Sequence, residues 1–261
     1  VDIMSSMTPH LTWAVAGPIA TVTFARPQKS NAYDKAMLRA FDHYLRRASD
    51  DPTIRVVVLR GAGKHFSAGA DLAAEEAHAE EAAPGVAEVC LRLSELPKPT
   101  VALVQGACLG GGMAFACCCD IVIAARDAFF SMPEVRIGFS PTPLIAFVMR
   151  AVGERHARRI LMSGARFSAD QALRLGLASE VCPSEEMEKA LADTLASLLQ
   201  SAPGAVAKVK AGVARLRHQA PTPELLAEFQ RGFDAARASA EAQEGRAAMR
   251  EKRRPNWAVD L

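Results

Sequence analysis

The fold is decided by Thr100-Val-Ala-Leu-Val-Gln-Gly-Ala-Cys-Leu-Gly-Gly-Gly-Met-Ala-Phe115. Within its first six residues, Thr100 to Gln105, the run Val101-Ala-Leu-Val104 is apolar, and half of the six are β-branched, which suits a strand buried on both faces. Gly106 opens a loop that ends in the triplet Gly110-Gly111-Gly112, and small residues then continue helically toward Cys119. Three consecutive glycines cost backbone entropy. Either the backbone there takes unusual dihedrals, or another group must approach it closely. A buried strand that passes through such a loop into a helix is one unit of a parallel α/β sheet.

The same unit occurs upstream. Arg55 to Arg60 contains the buried run Val-Val-Val-Leu, a Gly/Ala/Ser loop spans Gly61 to Ala70, and Asp71 to Glu95 is Ala/Glu-rich and helical, interrupted at Pro84-Gly85. Before it, Ile19 to Phe24 reads as a strand ended by Arg26-Pro27. Asp34 then caps an amphipathic helix with Met37, Leu38, Phe41 and Leu45 at helical spacing. Downstream, Asp120 to Ala125 and Ala128 to Phe130 read as strands. Beyond Thr142 the pattern is helical, in segments near 142–151, 154–163, 168–175, 185–200, 203–218 and 223–252, with one strand-like break at Leu177 to Val181. No linker separates two independent domains, and no repeat has a solenoid period.

With 261 residues, half of them hydrophobic, and a formal charge of +2, the chain can bury one large core. The near-neutral balance excludes a nucleic-acid surface. A local basic cluster, Arg250, Lys252, Arg253 and Arg254, reads equally as a solvated last helical turn or as a contact to a ligand phosphate. No apolar run reaches the ~20 residues of a membrane span, so no membrane partner is expected. The first residues, Val1 to Met7, carry no signal-peptide pattern and are left out of the fold reasoning. The six cysteines, at 90, 108, 117–119 and 182, lack metal-ligand spacing and read as small buried apolar residues. The expectation is a reducing, cytoplasmic setting with no metal and no redox cofactor.

Familiar catalytic motifs are missing. Gly61-Ala-Gly63-Lys64 lacks phosphate-loop spacing, and Gly138-Phe-Ser140-Pro-Thr142 has Thr where a nucleophile elbow needs Gly. Two loops remain, Phe66-Ser-Ala-Gly-Ala-Asp-Leu72 and Leu109-Gly-Gly-Gly-Met113, each between a buried strand and a helix. Ligands of open α/β sheets bind beyond the carboxyl ends of strands, where helix N-termini offer unpaired N–H groups.

These residues reach a family. Arg26-Pro27…Asn31-Ala32, Gly61-x-Gly63-x-x-Phe66-Ser-Ala-Gly-Ala70-Asp71-Leu72, Gly106…Gly110-Gly-Gly112…Cys119-Asp120 and Pro133-Glu134…Gly138 resemble, in order and spacing, the crotonase (enoyl-CoA hydratase/isomerase) superfamily. The ending Glu244-Gly245…Lys252-Arg-Arg-Pro255-x-Trp257 is similar to a frequent family terminus. The resemblance implies an α/β spiral of ββα turns over 8–195, followed by a helical C-terminal trimerisation region, 196–261, in a homotrimer or homohexamer. It implies an acyl-CoA substrate, with no cofactor beyond the coenzyme A of the substrate itself. It places an oxyanion hole at the N–H groups of Ala70 and Gly111. Ala68, Asp71, Leu72, Ala73, Gly110, Ala114 and Pro133 then line the substrate.

Hydratases of this family bracket the double bond with two Glu. The second is present here as Glu134, while the first position is Ala114. Three readings follow from one Glu: a hydratase in which Glu134 makes both proton transfers or a nearby polar group helps position the water, a Δ3,Δ2-enoyl-CoA isomerase with Glu134 as sole base, or an acyl-CoA binder without turnover. Glu134-Val-Arg-Ile-Gly138-Phe-Ser-Pro-Thr-Pro and Ala62-Gly-Lys-His-Phe-Ser-Ala-Gly-Ala-Asp-Leu72 resemble the methylglutaconyl-CoA and isohexenylglutaconyl-CoA hydratase branch. Ala114 is expected to leave room for a branched acyl chain. Of the remaining groups, His65 reads as structural and Asp120 as a backbone anchor. Glu75, Glu76, Glu80 and Glu81 read as a solvated face from which one carboxylate could reach the site.

Overall fold

Val56–Gly61 and Thr100–Val104 run parallel through the centre of the larger sheet, registered from Val57 opposite Thr100 to Arg60 opposite Leu103. All five residues of the second strand, and five of six in the first, are buried, as helices on both faces require. The computed structural model describes residues 8–77, 82–216 and 219–260. Glu80 and Glu81 lie outside the described residues, as do the side chains of Glu75 and Glu76.

The chain opens with an antiparallel hairpin, β1 (Leu11–Ala16) and β2 (Ile19–Phe24). Helix α1 (Lys35–Asp50) crosses to β3 (Val56–Gly61), and α2 (Leu72–Ala77) and α3 (Val86–Glu95) precede β4 (Thr100–Val104). Strand β5 (Ala107–Leu109) leaves for a second sheet, and α4 (Gly111–Cys118) returns the chain to β6 (Ile121–Ala125) beside β4. Next come β7 (Phe129–Ser131), a 3-10 turn (Pro133–Ile137), α5 (Ile145–Ser163), β8 (Phe167–Ser168), α6 (Ala169–Arg174) and β9 (Glu180–Cys182). The larger sheet has the order β1-β2-β3-β4-β6-β9 and the smaller β5-β7-β8. The rest is helical: α7 (Met187–Leu199), α8 (Pro203–Leu216), α9 (Pro223–Arg237) and α10 (Ala240–Glu251).

Local signals explain most boundaries. The Asp34 carboxylate accepts from Met37 N–H at 2.9 Å and starts α1, whose Met37, Leu38, Phe41 and Leu45 are all buried as expected. Phe41, Phe24, Phe66 and Tyr33 gather around Phe115 of α4 or against one another, with ring centroids 5.2–5.8 Å apart. Each such buried ring contributes on the order of 2 kcal/mol. Three expectations shift. The segments 142–151 and 154–163 belong to one helix, α5, broken in dihedrals only at Gly153. The segment 223–252 is two helices, because Ser239 caps a new start by accepting from Ala242 N–H. The strand near 177–181 pairs three residues later than its first apolar residue, at Glu180–Cys182.

A buried polar knot fixes the loop after β2. Asn31 is fully buried in a left-handed conformation (φ 58°), which Asn tolerates better than most residues. Its amide donates to the carbonyls of Ala62 (2.9 Å) and His65 (2.6 Å), and its side-chain oxygen accepts from Arg26 N–H (2.9 Å). Replacing Asn31 by Ala leaves two partly buried carbonyls and one N–H without the Asn31 side chain as partner. The expected result in a urea melt is a loss of about 2–4 kcal/mol; a loss under ~0.5 kcal/mol, the usual scatter of a surface substitution, would show that the knot is not needed.

The last three helices bury little. Among the described residues of α8, α9 and α10 only Leu225 and Ala248 are buried, while Val209, Val213, Phe233 and Met249 stay exposed around an apolar groove of about 1190 Å³. The basic cluster stays exposed, and two of its members are paired with carboxylates. Arg253 is gripped by Glu244 and Glu251, which holds the Glu244 carboxyl down at about 2, and Arg254 pairs with Asp260.

Candidate active site

Backbone hydrogen bonds join the two Gly/Ala loops. Phe66 N–H donates to Gln105 O (2.8 Å), Ser67 N–H to Ala107 O (3.1 Å), and Leu109 N–H to Ser67 O (2.9 Å). On the other side, Tyr33 N–H donates to Gly69 O and Asp71 N–H to Tyr33 O, both at 2.8 Å, so Ala70 is bridged to Tyr33. The buried Ser67 hydroxyl donates to Asn31 O (2.9 Å) and accepts from Gly69 N–H (3.2 Å). Three stretches of chain distant in sequence thus meet at one seam.

The donors lie along that seam. Gly110 has φ 51° and ψ −127°, a conformation closed to L side chains, and it turns the chain so that α4 begins at Gly111. Gly110 N–H donates to Ser131 O (2.9 Å), and Gly110 O accepts from Ala114 N–H (3.0 Å). Among the described residues no acceptor takes the N–H of Ala70 or that of Gly111. The two loops touch beside them, since a methyl placed on Gly69 would lie 3.5 Å from the Gly111 nitrogen. The α4 N-terminus adds its partial positive charge.

Glu134 faces the same turn. It sits in the first turn of Pro133–Ile137, held by Phe139 N–H donating to its carbonyl (3.0 Å) and by Arg136 Nε donating to Ser163 O (3.1 Å). Its Oε1 rests over Gly110, where a methyl would meet it at 2.7 Å. Its Oε2 is buried and has no hydrogen-bond partner. Burial raises the carboxyl pKa above the ordinary range, and its own backbone N–H offsets this only in part. A buried carboxylate oxygen without a partner is costly in a resting structure, and its geometry suits a group that exchanges a proton with a ligand.

The other sequence-predicted residues divide. Gly110 is buried at the seam and Pro133 is half-buried beside Glu134, whereas Leu72 and Ala73 lie exposed at the start of α2. Ala68 N–H is engaged by Ser30 O (2.9 Å). Asp71 is a structural clamp: against a burial penalty, Ala74 N–H and the Arg26 guanidinium (2.8 Å) hold its carboxyl below the usual range. Ala114 corrects an expectation. It is 0 % exposed on a helix buried all round, so the room expected there is filled by protein, and it presents no surface to a ligand. His65 is structural, its Nδ1 accepting from Ala107 N–H (3.0 Å). Asp120 accepts from Thr100 N–H (2.8 Å) and from Lys210 Nζ (2.6 Å) and anchors β4 and α8. All six cysteines are free, and among the described residues no His/Cys/Asp/Glu group is placed to hold a metal.

Sequence reading missed Tyr33. Its backbone bridges Ala70, its ring packs on Phe115 at 5.4 Å, and its hydroxyl stands over Gly111. An aromatic residue directly after Asn31-Ala32 was the available signal.

Comparison with known proteins shows the family and the fold. The family described as enoyl-CoA hydratase/isomerase matches residues 15–259. A carnitinyl-CoA dehydratase of Salmonella typhi is 33 % identical over 250 residues, covering 92 % of this chain and 95 % of that protein. The solved enoyl-CoA hydratase of Shewanella pealeana superposes with a TM-score of 0.91 at 31 % identity, over 98 % of each chain. AtuE of Pseudomonas aeruginosa superposes at 0.90 with 35 % identity, over 96 % of this chain and 100 % of that one.

Proposed function

The chain belongs to the enoyl-CoA hydratase/isomerase family, and from that premise we propose that it adds water reversibly to the 2,3 double bond of an enoyl-CoA. The observation that carries this reading is the unpartnered, buried Oε2 of Glu134 beside the Gly110–Gly111 turn, with the N–H groups of Gly111 and Ala70 taken by no acceptor among the described residues. The thioester oxygen lies between the N–H groups of Ala70 and Gly111. Glu134 takes a proton from water as the water oxygen bonds to C3. The electron pair of the double bond moves into the thioester, whose oxygen becomes the enolate held by the two N–H groups. Glu134 then returns its proton to C2. One water is consumed, no electron leaves the system, and no cofactor beyond the substrate's own coenzyme A is needed. Each oxyanion donor is worth roughly 3 kcal/mol of barrier.

A relative named for dehydrating carnitinyl-CoA supports water addition and elimination as the reaction class. A single carboxylate also suffices to move one proton between two carbons, so 3-enoyl to 2-enoyl isomerisation is the second reading. The family branch resembled in the loops favours a branched acyl chain, although Ala114 does not make the space for it. The uncovered apolar faces of α8 to α10 support the region 196–261 as the surface of a homotrimer or homohexamer. The six free cysteines support a reducing, cytoplasmic setting. No described helix is long and apolar enough to cross a membrane.

The deciding experiment follows the conjugated enoyl-thioester absorbance with crotonyl-CoA, 3-methylglutaconyl-CoA and a 3-enoyl-CoA. Loss of absorbance with either 2-enoyl substrate is the expected result. A rise with the 3-enoyl substrate alone replaces hydratase by isomerase, and silence with all three rejects both. The pH profile carries a separate expectation. Glu134 must be ionised to accept water's proton, and burial raises its pKa. The acid limb of kcat/KM therefore falls above the ~4.3 of an ordinary Glu; a limb at or below that value would assign the base elsewhere.

A further inference from the structure

The Glu134 carboxylate rests on the Gly110–Gly111 turn, and a second polar group reaches it. A β-carbon built on Gly111 would stand 2.0 Å from the Tyr33 hydroxyl and 2.7 Å from its Cε1 and Cζ. The phenol therefore lies directly against the residue whose free N–H opens α4. Glu134 Oε1 occupies the corresponding place over Gly110. Consecutive α-carbons are only ~3.8 Å apart, so the two groups flank adjacent residues of the same turn.

Tyr33 is also tied to the other donor. Its N–H and carbonyl bracket Ala70 through the bonds to Gly69 and Asp71, both 2.8 Å. Its ring is 4 % exposed and packs at 57° on Phe115, which belongs to α4. One residue thus contacts both halves of the hole, and backbone bonds and core packing hold its ring in place.

Resting on the hydratase reading, we propose that the Tyr33 hydroxyl is a third hydrogen-bond donor to the thioester oxygen, joining the N–H groups of Ala70 and Gly111. A neutral phenol is suited to this task. It strengthens its bond as the oxygen turns from carbonyl to enolate, and it carries no charge to repel Glu134. A third donor lowers the basicity of the enolate, so the single carboxylate at 134 faces a smaller barrier at each proton transfer.

Tyr33→Phe keeps the ring and its packing while removing the donor, so the fold survives the test. The first readout is steady-state hydration. The expected change is a kcat roughly 10–100-fold below wild type, with KM within about twofold and the acid limb of the pH profile unmoved. The second readout needs no turnover: acetoacetyl-CoA bound in the hole shows the ultraviolet band of its enolate, and a lost donor reduces that band at saturation. Glu134→Gln serves as the control, abolishing turnover while keeping the band. A Tyr33→Phe enzyme with kcat within about twofold of wild type and an undiminished band would overturn the proposal. If the wild-type protein hydrates no enoyl-CoA, the hydratase reading fails, and the acetoacetyl-CoA band still decides the role of Tyr33.

Discussion

Glu134→Gln is expected to lower the hydration rate by roughly 10²–10⁴-fold, the usual worth of a positioned acid–base group, while acyl-CoA affinity stays near wild type. Gln keeps the shape of the side chain but cannot take a proton from water or return one to C2. Among the described residues neither candidate replaces it, because position 114 holds a fully buried Ala and Asp71 is committed to Arg26 and Ala74. The same variant has a signature in stability. Burial raises the Glu134 pKa in the folded state. A group of that kind stabilises the fold fully below its unfolded pKa, and that contribution is lost as pH rises through the folded pKa. Gln does not titrate. The stability of Glu134→Gln relative to wild type should therefore increase as pH is raised from about 4 through the raised pKa, read by thermal melts at a series of pH values. A difference independent of pH would show that Glu134 is solvated like a surface carboxylate, and retained turnover would remove it from the mechanism.

Gly111→Ala is the second large effect. The added methyl would sit 2.0 Å from the Tyr33 hydroxyl and 2.7 Å from two ring carbons, closer than any real contact. Tyr33 cannot swing aside, since its ring is buried on Phe115 and its backbone is bonded to Gly69 and Asp71. Either α4 retreats, carrying the Gly111 N–H with it, or Tyr33 is expelled from the core. Overpacking of this sort costs about 1–3 kcal/mol. Displacing one oxyanion donor costs a further ~10²–10³-fold in kcat. The measurements are a urea melt and the hydration rate, each repeated in the double variant that adds Tyr33→Ala. The double variant should recover part of the stability lost through the clash and none of the activity, because the two sites are in contact and their effects are not additive. A Gly111→Ala enzyme with wild-type rate would mean that the N–H at this position does not hold the oxyanion.

How much of this could be read beforehand depended on whether the cause was local. The strands at 19–24, 55–60 and 100–105 and the cap at Asp34 follow from patterns a few residues long, and they stand in the structure as expected. Strand β1 was not read, because Leu11–Ala16 owes its pairing to β2, and its last three residues are exposed. The Gly110–Gly112 triplet announced a close approach but not its partners, which are Glu134, Tyr33 and Ser67, all brought from elsewhere in the chain. Glu134 alone at the end of a short strand carries no chemical signal; its position came from the family resemblance. Tyr33 stayed silent because its neighbours are residues 69–71 and 111, a fact of tertiary packing. The filled space at Ala114 is likewise a property of the whole environment of α4, beyond what one small side chain discloses.

The seam where residues 26–33, 66–71 and 107–111 exchange backbone hydrogen bonds has a kinetic consequence. The bonds that join these segments are not between near neighbours in the chain, so loop closure must be completed before any of them forms. High contact order of this kind slows the rate-limiting step of folding. A nascent or half-folded chain can own its strands and helices and still lack the paired donors entirely. Catalytic competence therefore arrives late, when the 66–71 loop is bonded on one side to the glycine triplet's strand and on the other to the segment carrying Tyr33. It is also the first property that a local opening of the segment docked on residues 68–71 would abolish.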